Sequence, residues 1–184
     1  MKQKIKIAIS ACLTGQKVRY DGKEKTQPLI MDFLLSEPID FVPFCPEVGI
    51  GLGVPRDKIQ LVKQKDQQIR VLGVEDHTWD VTDALKLYAR DFLIQNPDIK
   101  LFIVKSKSPS CAYQSTPLLS AEQSYEQVAL VSGQFIQTIM ELAPQMPIID
   151  EIYLNKMLLS GAADLSPLPL GESQGEGLLE FLTR

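Results

Sequence analysis

At 184 residues the chain suits one domain with a single sizeable core, and 45% hydrophobic with 23% charged residues is an ordinary globular make-up. Nineteen basic against 23 acidic side chains leave a net charge of -4, which weighs against a dedicated nucleic-acid binder while leaving room for a local basic patch. The first ten residues lack a signal-peptide pattern and no stretch is long and apolar enough to span a bilayer, so the expectation is a soluble, cytoplasmic protein without membrane contact. Three cysteines cannot all pair within one chain; in a reducing compartment they are expected to be free thiols or metal ligands.

In chain order, Ile5 to Ser10 alternates and is β-branched, which predicts a first strand. It runs into a turn-rich segment, Ala11 to Gly22, that closes on Asp21-Gly22. Pro28 suits a first helical position and opens a short helix to about Leu35. Phe41 to Phe44 reads as a second strand, leading into Cys45-Pro46-Glu47 and the glycines 49, 51 and 53. Ile59 to Val62 and Ile69 to Leu72 flank a polar turn and predict a β-hairpin. Asp80 resembles an N-cap; beyond it Val81, Ala84, Leu85, Tyr88 and Phe92 build one apolar helical face that ends at Asn96-Pro97. Leu101 to Val104 is a third buried strand, followed by the loop Lys105 to Cys111. After a polar segment, Val128 to Leu142 predicts a long helix, Pro147 to Asp150 a last strand, and Leu154 to Leu159 a closing helix. Strands alternating with helices imply an α/β fold with a largely parallel sheet, helices on both faces and a small β-hairpin insertion. Residues 1–160 read as one domain. Residues 161–184, rich in proline, glycine and acidic side chains, read as a poorly ordered tail.

Each cysteine follows a predicted strand: Cys12 the first, Cys45 the second, Cys111 the third. If the strands are parallel neighbours, all three sulfurs lie on one sheet edge, where ligands of such folds gather. Three thiolates there would hold a metal centre with one position open, as in a catalytic zinc site or a four-iron cluster with three protein ligands. The plain alternative is three small buried side chains, although Cys45-Pro46 and Ser108-Pro109-Ser110-Cys111 suit rigid loops better than core. Glu47, two residues past Cys45, is either a solvated carboxylate or a proton-transfer group. Ser108 is either a turn hydroxyl or a hydrogen-bond partner of substrate. Arg19, Arg56, Lys105 and Lys107 would offset cluster charge or orient an anionic substrate. The glycines 49, 51 and 53 lack dinucleotide spacing. His77, the sole histidine, reads as a surface or packing residue.

Ile9 to Gly15 with Val18 to Gly22, Cys45-Pro46-Glu47-Val48 with Pro55-Arg56, and Lys105 to Cys111 resemble three ordered blocks of the thiouracil desulfidase family, long catalogued as a domain of unknown function. Asp80-Val81-Thr82 and Ile148 to Glu151 are weaker matches, and the resemblance spans roughly residues 5 to 155. It implies a Rossmann-like three-layer fold and a [4Fe–4S] cluster on Cys12, Cys45 and Cys111 with one iron not ligated by protein. It further implies Glu47 as the proton-transfer residue, Ser108 as its partner, and non-redox removal of sulfur, as sulfide, from a small thiocarbonyl compound such as 2-thiouracil. Thiolated RNA nucleosides are a variant substrate against which the acidic net charge weighs. An alternative is an iron–sulfur or zinc module for sulfur transfer or redox sensing without turnover. Ala112 stands where the family usually has glycine, and residues 113–127 lack its aromatic, glycine-rich turn.

Overall fold

The structure, a computed structural model, describes residues 4–160; the predicted tail lies outside them. The main sheet contains β1 (Ile5–Ser10), β2 (Ile39–Phe44), β5 (Ile99–Val104) and β8 (Ile148–Asp150) in the order β2-β1-β5-β8. Every pair in it is parallel. Pro43, which has no amide proton to give a neighbour, sits on β2, an edge strand where that loss is tolerated.

The alternation of β1 decides what each face packs against. Ile5, Ile7 and Ile9, with Leu101 and Ile103 of β5, face Ile30 and Leu34 of α1 (Pro28–Ser36) and Leu154 and Met157 of α5 (Glu151–Leu159). Ala8, Phe102 and Val104 face Ala89 and Phe92 of α3 (Thr82–Gln95) and Phe135, Ile136 and Ile139 of α4 (Gln134–Leu142). The result is the predicted three-layer α/β arrangement, with the parallel sheet as its middle layer.

The hairpin is larger than expected. β3 (Ile59–Lys63) and β4 (Ile69–Gly73) pair antiparallel, and β3 also pairs in parallel with β6 (Thr116–Ser120). β6 in turn pairs antiparallel with β7 (Glu126–Val131), giving a second, mixed sheet in the order β4-β3-β6-β7. Its apolar side, including Leu61, Val71 and Leu118, packs with Val81 and Leu85 at the start of α3.

The long helix expected over Val128 to Leu142 is therefore two elements: β7, then α4 after Ser132-Gly133. Val128 and Leu130 are exposed while Ala129 and Val131 pack inward, the period of a strand. Gly133 makes the break. A Cβ there would lie 2.4 Å from the Ser110 carbonyl carbon and 2.7 Å from the Cys111 amide nitrogen, so only glycine admits this backbone approach. Asp80 is one residue outside the cap position, which Val81 occupies, yet its Oδ1 still accepts from the Thr82 amide at 2.8 Å.

Candidate functional site

β1, β2 and β5 all end at one edge of the main sheet, and the register pairs Ser10 with Phe44. The three cysteines lie just beyond. Cys12 is in a 3-10 turn, Ala11–Thr14, closed by Gly15 at φ 91°. Cys45 caps α2 (Pro46–Gly49), with proline at its first position. Cys111 ends the loop that follows β5. Together with Glu47 and Ser108 they line one cavity of about 290 Å³. Ile59 at the start of β3, with Lys58 just before it and Val74 just after β4, lines it as well, so the site sits between the two sheets.

The Cys111 loop is held at both ends. At its start, the Glu151 carboxylate accepts from Lys105 Nζ at 2.5 Å, from the Ser106 amide at 2.7 Å and from Ser106 Oγ at 2.7 Å. Burial pushes the Glu151 carboxyl up, but the bonds from Lys105 and Ser106 outweigh it and leave the group below its ordinary range. At its end, the first amides of α4 take up loop carbonyls. Gln134 N donates to Pro109 O at 3.1 Å and Phe135 N to Ser110 O at 2.9 Å, while Gly133 N donates to Ala112 O at 2.9 Å. These donors would otherwise be orphans of a helix start.

Glu47 is equally constrained. Arg56 approaches one oxygen, Oε2, with both Nε and Nη2 at 2.8 Å. The same guanidinium donates to Gly53 O and Val18 O, each at 2.9 Å. The two side chains are only 12% and 5% exposed, so the pair is a buried one with its donors committed. The other oxygen, Oε1, accepts from Ser110 Oγ at 2.8 Å. Ser108 does not reach Glu47 directly in this geometry: its Oγ lies 3.1 Å from Ser110 Oγ and accepts from the Cys111 amide at 3.2 Å.

The expected cations divide. Arg56 is committed to Glu47, Lys105 to Glu151, and Lys107 is exposed. Arg19 lines the cavity; its buried Nε pairs with Asp21 Oδ1 at 3.6 Å and has no hydrogen-bond partner among the described residues. His77 does not line the cavity; it packs against Tyr125 in a tilted arrangement with ring centroids 4.3 Å apart.

Sequence reasoning missed Ser110 and Glu151 as parts of this machinery, and with them the anchoring role of Gly133. Ser110 adjoins Cys111 and could have been flagged by position. In the sequence Glu151 marks only the end of the weaker family match, Ile148 to Glu151, with no role attached.

The cluster expectation is corrected. Among the described residues no group of three or more His, Cys, Asp or Glu could hold a metal ion, so Cys12, Cys45 and Cys111 share a cavity without forming a ligand set for a [4Fe–4S] cluster. Their environment gives the physical reason. Burial first, then the neighbouring Cys111 and Cys45 sulfurs, push the Cys12 thiol up to about 12. Burial pushes Cys45 up to about 11 and raises Cys111 as well. Metal ligation requires thiolates, and burial favours the neutral thiol at each of the three. Two also have protein partners: Cys111 Sγ lies 3.4 Å from Ser10 Oγ, and Cys45 Sγ donates to Val18 O at 3.8 Å. The iron–sulfur or zinc module rested on the same ligands and loses its basis with them.

No curated protein matches the chain significantly. A solved structure described as a [4Fe-4S]-dependent thiouracil desulfidase, TudS, is 28% identical, over 85% of this chain and 97% of that one, with a TM-score of 0.65. Residues 7–151, well over half the chain, match the family described as 2-thiouracil desulfurase. The chain therefore belongs to the 2-thiouracil desulfurase family, and this kinship supports a desulfidase-type reaction.

Proposed function

We propose that the cavity at the sheet edge hydrolyses the C=S bond of a small thiolated pyrimidine such as 2-thiouracil. Water adds its oxygen to the thiocarbonyl carbon, the C–S bond breaks, and the products are a carbonyl compound and hydrogen sulfide. No electrons are gained or lost overall: one C=S and one water become one C=O and one H₂S.

Glu47 carries this reading. Its carboxylate is clamped by Arg56 on Oε2, which leaves Oε1 for proton traffic through the serine loop on the cavity wall. Water is a weak nucleophile, and a positioned base that removes its proton in the transition state contributes roughly 10²–10⁴-fold in rate. Buried sulfur is polarisable, so the wall formed by Cys12, Cys45 and Cys111 suits a sulfur-bearing ligand. The Arg19 guanidinium on the cavity wall suits an oxygen or anionic nitrogen of the pyrimidine ring. A volume of about 290 Å³ sits at the lower end of small-molecule pockets, which favours a free base over a thiolated RNA.

The test is sulfide release and uracil formation from 2-thiouracil. Glu47→Gln keeps the shape and removes the base, and the expected loss in kcat is about 10²–10⁴-fold. Turnover by Glu47→Gln at the native rate would remove Glu47 from the mechanism.

A further inference from the structure

Ser110 lies between Glu47 and Ser108, and the direction of each hydrogen bond follows from valence. Ionised Glu47 can only accept, so Ser110 must spend its single proton on Oε1. Having no proton left, Ser110 Oγ must accept from Ser108, 3.1 Å away. Ser108 Oγ already accepts from the Cys111 amide, which leaves one lone pair. Both serines line the cavity, Ser108 half-buried and Ser110 only 1% exposed. Ser108, whose Oγ also contacts the Cys111 thiol, is thus the more exposed end of the chain, and the two serine protons point toward Glu47.

We propose that Ser110 is a proton-relay residue of this site, joining Glu47 to Ser108, with Arg56 fixing which carboxylate oxygen receives the proton. The proposal rests on the desulfidase reading. As water attacks, it gives a proton to Ser108 Oγ, Ser108 gives its own to Ser110, and Ser110 gives its own to Glu47 Oε1. Each hydroxyl ends with one proton, and the net change is one proton moved from water to the carboxylate. The passage also reverses the chain. Protonated Glu47 now donates to Ser110, Ser110 to Ser108, and Ser108 toward the cavity, the orientation needed to protonate the departing sulfur. Arg56 contributes geometry: with Oε2 held by two guanidinium nitrogens, the carboxylate cannot rotate Oε1 out of the line. Ser110, almost wholly buried, acts through the hydrogen bonds to its two neighbours.

The experiment compares wild type, Ser108→Ala, Ser110→Ala and the double variant on 2-thiouracil, with near-ultraviolet circular dichroism confirming native folding. Ser110→Ala should lower kcat about 10²-fold or more, with KM within about threefold. A relay broken at either hydroxyl is broken entirely, so the double variant should be no slower than the slower single one. The wild-type solvent isotope effect should show a curved, multi-proton dependence on deuterium fraction that becomes linear in Ser110→Ala. Additive losses in the double variant, or an unchanged curved dependence in Ser110→Ala, would overturn the relay while leaving the desulfidase reading intact. A wild-type protein that releases no sulfide from 2-thiouracil would instead overturn that reading, and the relay with it.

Discussion

At the scale of single residues, the site is a set of groups whose charge state is governed by what surrounds them. Glu47 is held part-buried on the cavity wall with Arg56 facing it at 2.8 Å; a desolvated carboxylate without such a partner would be costly. The cysteines show the opposite adjustment, with burial keeping them as neutral thiols. This has a consequence for alkaline stability. A thiol whose folded value is raised above the unfolded value of about 9 contributes fully below pH 9. That contribution is then lost as pH rises through the folded values of about 11 for Cys45 and 12 for Cys12. The urea midpoint of the anaerobic protein should therefore fall steadily from pH 9 to 11. The unfolding free energy should fall by up to about 1.4 kcal/mol per pH unit for each thiol within its window, and Cys12→Ala should make the fall shallower.

At the scale of elements, one strand–loop–helix arrangement positions most of the chemistry. The loop from Lys105 to Cys111 leaves β5, is gripped by Glu151 at the start of α5, and is received by the first amides of α4. Its second side is tied to the mixed sheet, where Thr116 Oγ1 donates to Ser108 O at 2.6 Å and Lys107 N donates to Ser115 Oγ at 3.1 Å. Gly133 is where this arrangement has no slack. Gly133→Ala would place a methyl against backbone rather than against a side chain that can swing away, and overpacking of that kind costs about 1–3 kcal/mol. Because the displaced atoms belong to Ser110 and Cys111, the variant should lose kcat more than stability alone predicts. Urea unfolding alongside 2-thiouracil kinetics would show this; unchanged kinetics would mean that the loop tolerates the shift.

At the scale of the whole molecule, the aromatic core and the site are one mechanical unit. Phe135 is fully buried, stacks on Phe44 at 5.1 Å and meets Phe92 and Phe102 edge-on at 5.7 and 6.2 Å. Phe44 immediately precedes Cys45, and the Phe135 amide bonds to Ser110 O. Phe135→Ala should cost about 3–5 kcal/mol and loosen two of the three cysteine segments together. Faster hydrogen exchange at both Cys45 and Cys111 would register that coupling, whereas exchange confined to α4 would argue against it.

Local sequence signals determined the four strands of the main sheet, the β3–β4 hairpin and the sheet edge at which the three cysteines collect. Alternating and buried runs such as Ile5 to Ser10 and Leu101 to Val104 are local signals of period two or of continuous burial, and a parallel sheet puts their ends together. The same local signals misread Val128 to Leu142, because Gly133 breaks it for the sake of a contact with Ser110, 23 positions earlier. Tertiary structure alone decided that Arg56 and Ser110 hold Glu47, that Glu151 anchors the loop, and that the cysteines stand as neutral thiols around one cavity rather than as a metal-holding set. Those outcomes depend on desolvation and on donors and acceptors supplied from distant parts of the chain. Such terms exist only once folding has removed water and fixed the distances.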